Sequence, residues 1–341
     1  MSEFSSVYLA TRLTVLASRL ISFEQLVDFI DLDLEQVMSR IKQHNGQVYD
    51  IEASNPRSVE AQLSNRALDD FQILMRPFAG SERRFFQFAI RWFELVNLKV
   101  LIRGKFSGID SRTIEDQLVD LRAFADLPIA RLLETDDPYE MLRLLETTAY
   151  GGIVRQARRM YEEHGNDLFL LDATIDRSFF IDLKHHARFL HDEDADNIRR
   201  VLGSLLDRFN LLWLLRYRFA YDLAPAKSFY LLTATGNRLH PAELMRLARM
   251  DSVEEVIAAL PEPYQQLLDR IGNIADMEMV MEYYSLSIAA RALYRRPNLL
   301  SRTFSYIVLR EAEVRFLQAL IKGKQLGFDS GLIRQAVGAV A

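Results

Sequence analysis

Cysteine is absent from the 341 residues, which excludes disulfides and thiolate metal sites and fits a reducing compartment. Only 14 glycines and nine prolines punctuate the chain, so few places force a tight turn or stop a helix. Apolar runs such as LLWLL and SFYLL fall far short of the roughly 20 residues that cross a bilayer. The opening MSEFSSVYLATRLTVLASRL lacks a basic start followed by an unbroken apolar core, so no secretory signal is expected. Histidine is scarce, with six residues, and the cluster KHHARFLHDEDADN contains no HExxH and no pair four apart, so no metal site is expected. GxSxG and GxGxxG are missing as well, which leaves no expected catalytic residue and no expected cofactor or small-molecule ligand.

What is present describes a folded helical protein. Hydrophobic residues make up 49% and charged residues 26%, with mean hydropathy near zero (−0.05), the balance of a globular chain. A formal net charge of −5 argues against a nucleic-acid partner. Leucine, alanine, arginine and glutamate recur at spacings of three and four, which predicts an all-α fold. Leu9, Leu13, Leu16 and Leu20 share one face of a long helix, and Ser22 with Gln25 offers a capping box for the helix FEQLVDFI. Short helices are predicted in PAELMRLARM, where Pro241 suits the first turn, and in SVEEVIAALPEPYQQLLDRI, where Pro261 marks an end. Breaks are expected at HNGQVYD, LPIARLLETDDPYE, HDEDADN and FAYDLAPAKS, with Asp192, Glu193, Asp194 and Asp196 read as a solvated turn.

One stretch recurs. FELVNLKVLIRGK at 93–105 returns as LDRFNLLWLLRYR near 210 and as AEVRFLQALIKGK near 316. With Asn97, Asn210 and Phe316 as anchors, Leu98, Leu211 and Leu317 align, followed by Leu101, Leu214 and Leu320. Arg103, Arg216 and Lys322 come next, then Lys105, Arg218 and Lys324, and an acid stands three places before every anchor: Glu94, Asp207 and Glu313. The intervals of 113 and 106 residues predict three similar domains, at 1–115, 116–228 and 229–341. GIDSRTI from Gly108 matches GFDSGLI from Gly327 at the same offset, and DATID (Asp172, Asp176) matches EMVME (Glu278, Glu282). Carboxylates four apart on a helix usually answer arginines of a neighbouring helix.

On a helical wheel Glu94, Leu98, Leu101, Ile102 and Lys105 share one face while Arg103 points nearly opposite. The six basic residues Arg103, Lys105, Arg216, Arg218, Lys322 and Lys324 are therefore candidates for partner binding. The alternatives are that they form the plain solvated end of a core helix or, for Arg103, Arg216 and Lys322, that they answer buried acids such as Asp172 or Glu278 inside each domain. A phosphate-binding loop is excluded by spacing, since Lys99 and Gln318 stand where GxxxxGK[ST] needs its first glycine, and Phe106 and Gln325 where it needs its hydroxyl.

This triplicated helix, with its preceding acid and the stretch RLISFEQLVDFIDLDLEQVMSRI, resembles the signature of the C-subunit family of V-type/A-type ATPases (ATP synthases), related to the d subunit of the eukaryotic V-ATPase. The resemblance implies three homologous helical domains in a pseudo-threefold funnel that acts as a non-catalytic rotor adaptor. It further implies partners in the D and F subunits of the central stalk and in the membrane proteolipid ring, membrane contact only through that ring, and a peripheral, cytoplasmic location. Phe316 departs from the asparagine of the pattern, and Tyr217 replaces a glycine in the second copy. The competing reading is an unrelated helical scaffold, although intervals near 110 exceed the roughly 20 to 50 residues of solenoid repeats.

Overall fold

The computed structural model describes residues 3–45, 56–121, 124–163, 168–190, 193–233, 236–295 and 298–339. Among them every regular element is helical, so the fold is all-α. The chain separates into two compact units, Gly80–Phe189 on the one hand and Met1–Ala79 with Leu190–Ala341 on the other.

The Gly80–Phe189 unit opens with the long helix α5 (Gly80–Phe106), passes through α6 (Ser111–Glu115), α7 (Ile129–Glu134), α8 (Pro138–Leu145) and α9 (Gly151–Glu163), and closes with the long helix α10 (Leu168–Ala187). α10 packs on α5 and α9, and α5 packs on α6 and α8. The apolar stripe of the repeated helix does this work: Phe93, Leu98, Leu101 and Ile102 are all buried. The plan is a long helix, a bracket of short ones, and a second long helix laid against the first.

The larger unit holds the plan twice. In one version the outer helices are α11 (Glu193–Leu215) and α16 (Ile274–Arg295), which pack together, and the bracket is α12 (Pro225–Leu231), α13 (Pro241–Leu247), α14 (Val253–Ala258) and α15 (Tyr264–Leu268). In the other, α17 (Leu299–Gln325) is followed by α18 (Ser330–Ala339), and the rest comes from the beginning of the chain. α1 (Glu3–Ala17), α2 (Phe23–Asp28) with its 3₁₀ turn Phe29–Asp31, and α3 (Leu34–Asn45) all pack on α17 or α18, and α4 (Pro56–Met75) lies along α17. Sequence order and packing order are thus offset by one bracket.

Local chemistry sets the ends. Ser22 and Gln25 form the expected capping box of α2, and Pro241 occupies the first turn of α13. α5 and α17 both stop in the same way, with Gly108 at φ 69° and Gly327 at φ 72°. Ile109 N–H donates to the Gly104 carbonyl and Phe328 N–H to the Gly323 carbonyl, the six-to-one bond of a Schellman cap. In the second copy Tyr217 replaces that interior glycine, and Arg216–Ala220 forms a π-helical turn instead.

Three expected breaks differ from the structure. Within FAYDLAPAKS, Phe219 and Ala220 belong to the π-helical turn and Pro225–Ser228 to α12. Within LPIARLLETDDPYE, Ile129–Glu134 is helical, because Pro128 precedes the helix where a missing donor costs nothing. Within the acidic run, Asp192 lies outside the described residues, while Glu193, Asp194 and Asp196 lie in the first turn of α11. The break at HNGQVYD lies outside the described residues from residue 46 onward.

Candidate functional site

In the Gly80–Phe189 unit the repeated polar positions of α5 hold the bracket in place. The buried Glu94 accepts the backbone N–H of Asp126 at 2.5 Å and of Leu127 at 2.6 Å through one oxygen, and the Tyr150 hydroxyl through the other. Asn97 pairs with Val119 in both senses, its amide donating to the carbonyl at 2.7 Å and its oxygen accepting the N–H at 2.8 Å. Lys105 donates to the carbonyls of Leu133 (2.6 Å) and Thr135 (2.7 Å) and to Ser111 Oγ (3.0 Å). Arg103 leaves the opposite face, with 61% of its side chain exposed, and its guanidinium meets the buried Asp172 of α10. Lys99 reaches Asp176 at 2.8 Å.

The second copy, on α11, repeats these tasks with different atoms. Asp207 accepts the N–H groups of Asn237 (2.8 Å), Arg238 (2.8 Å) and Leu239 (3.1 Å) and the Tyr264 hydroxyl (2.7 Å). Asn210 accepts both the N–H and the hydroxyl of Thr233. Arg218 stands in for the lysine and donates to the carbonyls of Ala248, Leu223 and Met250 at 2.7 to 3.1 Å. Arg216 pairs at 2.5 Å with the buried Glu278 of α16, while Glu282 is held by Arg315 and Arg208.

On α17 the third copy is thinner. Glu313 accepts the Ile21 N–H at 3.4 Å and the buried Arg310 at 2.6 Å. Lys324 donates to the Ile30 carbonyl at 2.7 Å, as does Ser330, the counterpart of Ser111. Phe316 makes no polar contact and packs edge-on to Phe23. At the position equivalent to Asp172 and Glu278, α4 carries Val59, and among the described residues the exposed Lys322 has no ion-pair partner. Leu98, Leu101, Leu211, Leu214, Leu317 and Leu320 are fully buried in all three helices.

The chemistry of the repeat is therefore structural. An acid gathers a loop within the bracket, a base gathers bracket carbonyls, and in the first two copies a second base on the far side answers an acid of the paired long helix.

A family profile described as ATP synthase (C/AC39) subunit matches residues 9–336. The chain belongs to this family. Among its relatives, the C subunit of the A-type ATP synthase of Halorubrum lacusprofundi is 28% identical over 279 residues, covering 80% of this chain and 78% of the relative. The protein of that name from Methanocaldococcus jannaschii is 23% identical over 330 residues (93% and 82%), and that from Methanosarcina mazei 19% over 336 (96% and 91%).

In this family member the buried acids are electrostatically tense. Burial pushes the carboxyls of Glu94 and Asp207 upward, opposed by the hydroxyl and amide donors that surround them. Asp172 is raised by burial against the pull of Arg103 and Lys99. Glu278 is driven up to about 7 by burial, with Arg216 and Arg208 pulling the other way. For Glu282 burial opposes ionisation too, but Arg315 and Arg208 win and hold it below the usual range. Among the described residues no group of three or more histidines or acids is arranged to hold a metal ion.

Sequence reasoning missed the bracket's own half of the site. Leu127, Leu239 and Ile21, whose N–H groups the three acids receive, are each followed five places later by a buried leucine: Leu132, Leu244 and Leu26. That spacing was visible in the sequence, but its third copy sits at the opposite end of the chain. Tyr150 and Tyr264, which close the acid pockets, carry no motif around them.

Proposed function

We propose that this chain is the non-catalytic adaptor of a rotary ATPase rotor, seated between the D and F subunits of the central stalk and the membrane proteolipid ring, and passing torque between them. The match to the ATP synthase (C/AC39) subunit family across residues 9–336 carries this reading. The recurrence of the clamp supports it, because the polar positions that recur bind the chain to itself. The domains in this reading are three: residues 80–189, residues 190 to about 297, and the remainder joined across the two ends of the chain, with boundaries drawn by helix pairing rather than at equal thirds.

No described helix is long and apolar enough to cross a membrane, in keeping with membrane contact through the ring alone. Of the six basic candidates, Lys105, Arg218 and Lys324 are spent on internal carbonyls, which leaves partner contact to Arg103, Arg216 and above all Lys322. Ion transport is a property of the whole complex, to which this subunit contributes mechanical continuity. A tagged chain expressed with its neighbouring subunits should bring down nucleotide-binding, stalk and proteolipid subunits together. Recovery of the chain alone, or with none of the ATPase subunits, would overturn the reading.

A further inference from the structure

α1 is buried along one side and apolar along the other. Leu9, Leu13, Leu16 and Ala17 are buried, and the helix packs on α17 and α4. The opposite side carries Phe4, Tyr8, Thr11 and Val15, continued by Ser18 in the turn just beyond the helix, alternately four and three residues apart, which at roughly 100° per residue keeps them within about 40° of one line. Phe4 is 83% exposed, Tyr8 48% and Val15 39%, with Val7 on the flank at 63%.

No residue of this seam is charged, and its threonine and serine hydroxyls, like that of Thr14 beside it, are turned onto the helix backbone. Thr11 Oγ1 donates to the Val7 carbonyl at 3.0 Å, Thr14 Oγ1 to Ala10 at 2.9 Å and Ser18 Oγ to Val15 at 2.9 Å. With their donors already used, these side chains offer chiefly methyl and methylene surface to a neighbour. Arg302 borders the seam, its Nη2 donating to Thr14 Oγ1 at 3.3 Å.

We infer that the outer face of α1 docks an α-helix of another subunit of the complex, one with its own apolar seam at spacings of three and four and a carboxylate opposite Arg302. The inference rests on the adaptor reading above. The 3-4 spacing is what interlocking of two helices requires, whereas a sheet edge or an irregular loop has no use for it. An interfacial membrane helix would carry basic residues beside a broader apolar face, and between residues 3 and 18 the only lysine or arginine is Arg12. A seam of about four turns is also small against the roughly 1,200 Å² of total buried surface in a stable free-standing interface. Its occupant is therefore held by further contacts in an assembly, unlike a second copy of this chain meeting it in solution.

Because the chain has no cysteine, single thiols report cleanly. Tyr8→Cys, Val15→Cys and, as an off-seam control, the exposed Glu35→Cys would each be labelled with a maleimide in the isolated chain and in the purified ATPase complex. Expected is ready labelling of all three in the isolated chain and at least tenfold slower labelling of the two seam positions in the complex. A photocrosslinker at Tyr8 should then map to a partner helix of the stated pattern. Equal labelling of the seam in the isolated chain and the complex would overturn the inference and leave the adaptor reading standing. Protection that grows with concentration of the isolated chain would assign the seam to a second copy, and equal protection by phosphatidylcholine/phosphatidylglycerol vesicles would assign it to lipid, either of which overturns it. Absence of the chain from the complex would overturn both.

Discussion

Four donors converge on Asp207, and removing the carboxylate strands all of them in a buried place. Asp207→Ala should therefore cost about 3–5 kcal/mol, the range for breaking a buried charged network, while Asp207→Asn, which keeps one acceptor oxygen, should cost less. Urea denaturation followed by circular dichroism measures both, and a loss below about 1 kcal/mol for the alanine variant would contradict the clamp. Glu278 allows a test by pH. Its folded-state pKa, near 7, lies above its ordinary value of 4.5, so the folded chain holds more protons than the unfolded one between those limits, and this group's contribution to stability falls as pH rises from about 4.5 to 7. Glu278→Gln lacks that proton, so its melting temperature relative to the parent should climb across the same window; a constant or falling difference would rule out the raised carboxyl. The basic residues divide the same way. Arg216→Glu faces Glu278 with a like charge and should lower the melt, whereas Lys322→Glu, exposed and without a described ion pair, should leave the melt within about 0.5 kcal/mol and slow association with the stalk or ring at low salt. An unchanged association rate would remove Lys322 from the partner surface.

At the scale of elements, the ends of the long helices depend on room for a short helix. A Cβ on Gly323 would lie 2.8 Å from Ile333 Cγ1, and one on Gly104 would lie 2.5 Å from Ile114 Cγ1. Gly323→Ala should cost about 1–3 kcal/mol through overpacking, and trimming its neighbour with Ile333→Ala should recover part of that loss. Additive losses in the double variant, read from thermal melts, would show that the two residues do not compete for the same space. The second copy solves the problem otherwise: the π-helical turn at Arg216–Ala220 accommodates a buried Tyr217 stacked on Trp213. The sequence carried a sign of this, since Tyr217 breaks the glycine pattern, but a widened turn has no composition of its own. The capping box at Ser22 and the first-turn Pro241 were readable because each is a local device, complete within four residues. α7 was not, because Pro128 and the acids that follow Leu133 look like breakers until the helix is seen to begin after the proline and end on Glu134, before Asp136 and Asp137.

For the whole molecule, the triplication of a 13-residue helix was enough to reach the family, and apolar spacing was enough to reach the fold class. What stayed hidden is the exchange of parts across the chain. Beyond α18, α17 finds the rest of its bracket and its paired helix among residues 3–75, and no equal division of the sequence expresses that. The same offset explains why the third copy lacks an upstream acid for Lys322: its paired helix is α4, where Val59 stands in the place of Asp172 and Glu278. The clamps tie the long helices to their brackets, as the proposed torque-transmitting role requires. The most direct measurement is made on membranes from cells expressing the complete ATPase with or without this chain. Without it, ATP hydrolysis should move to the soluble fraction and ATP-driven ion uptake by vesicles should fall to background, with both restored by adding back the purified chain. Hydrolysis that stays membrane-bound and coupled to ion uptake in its absence would contradict an adaptor between stalk and ring.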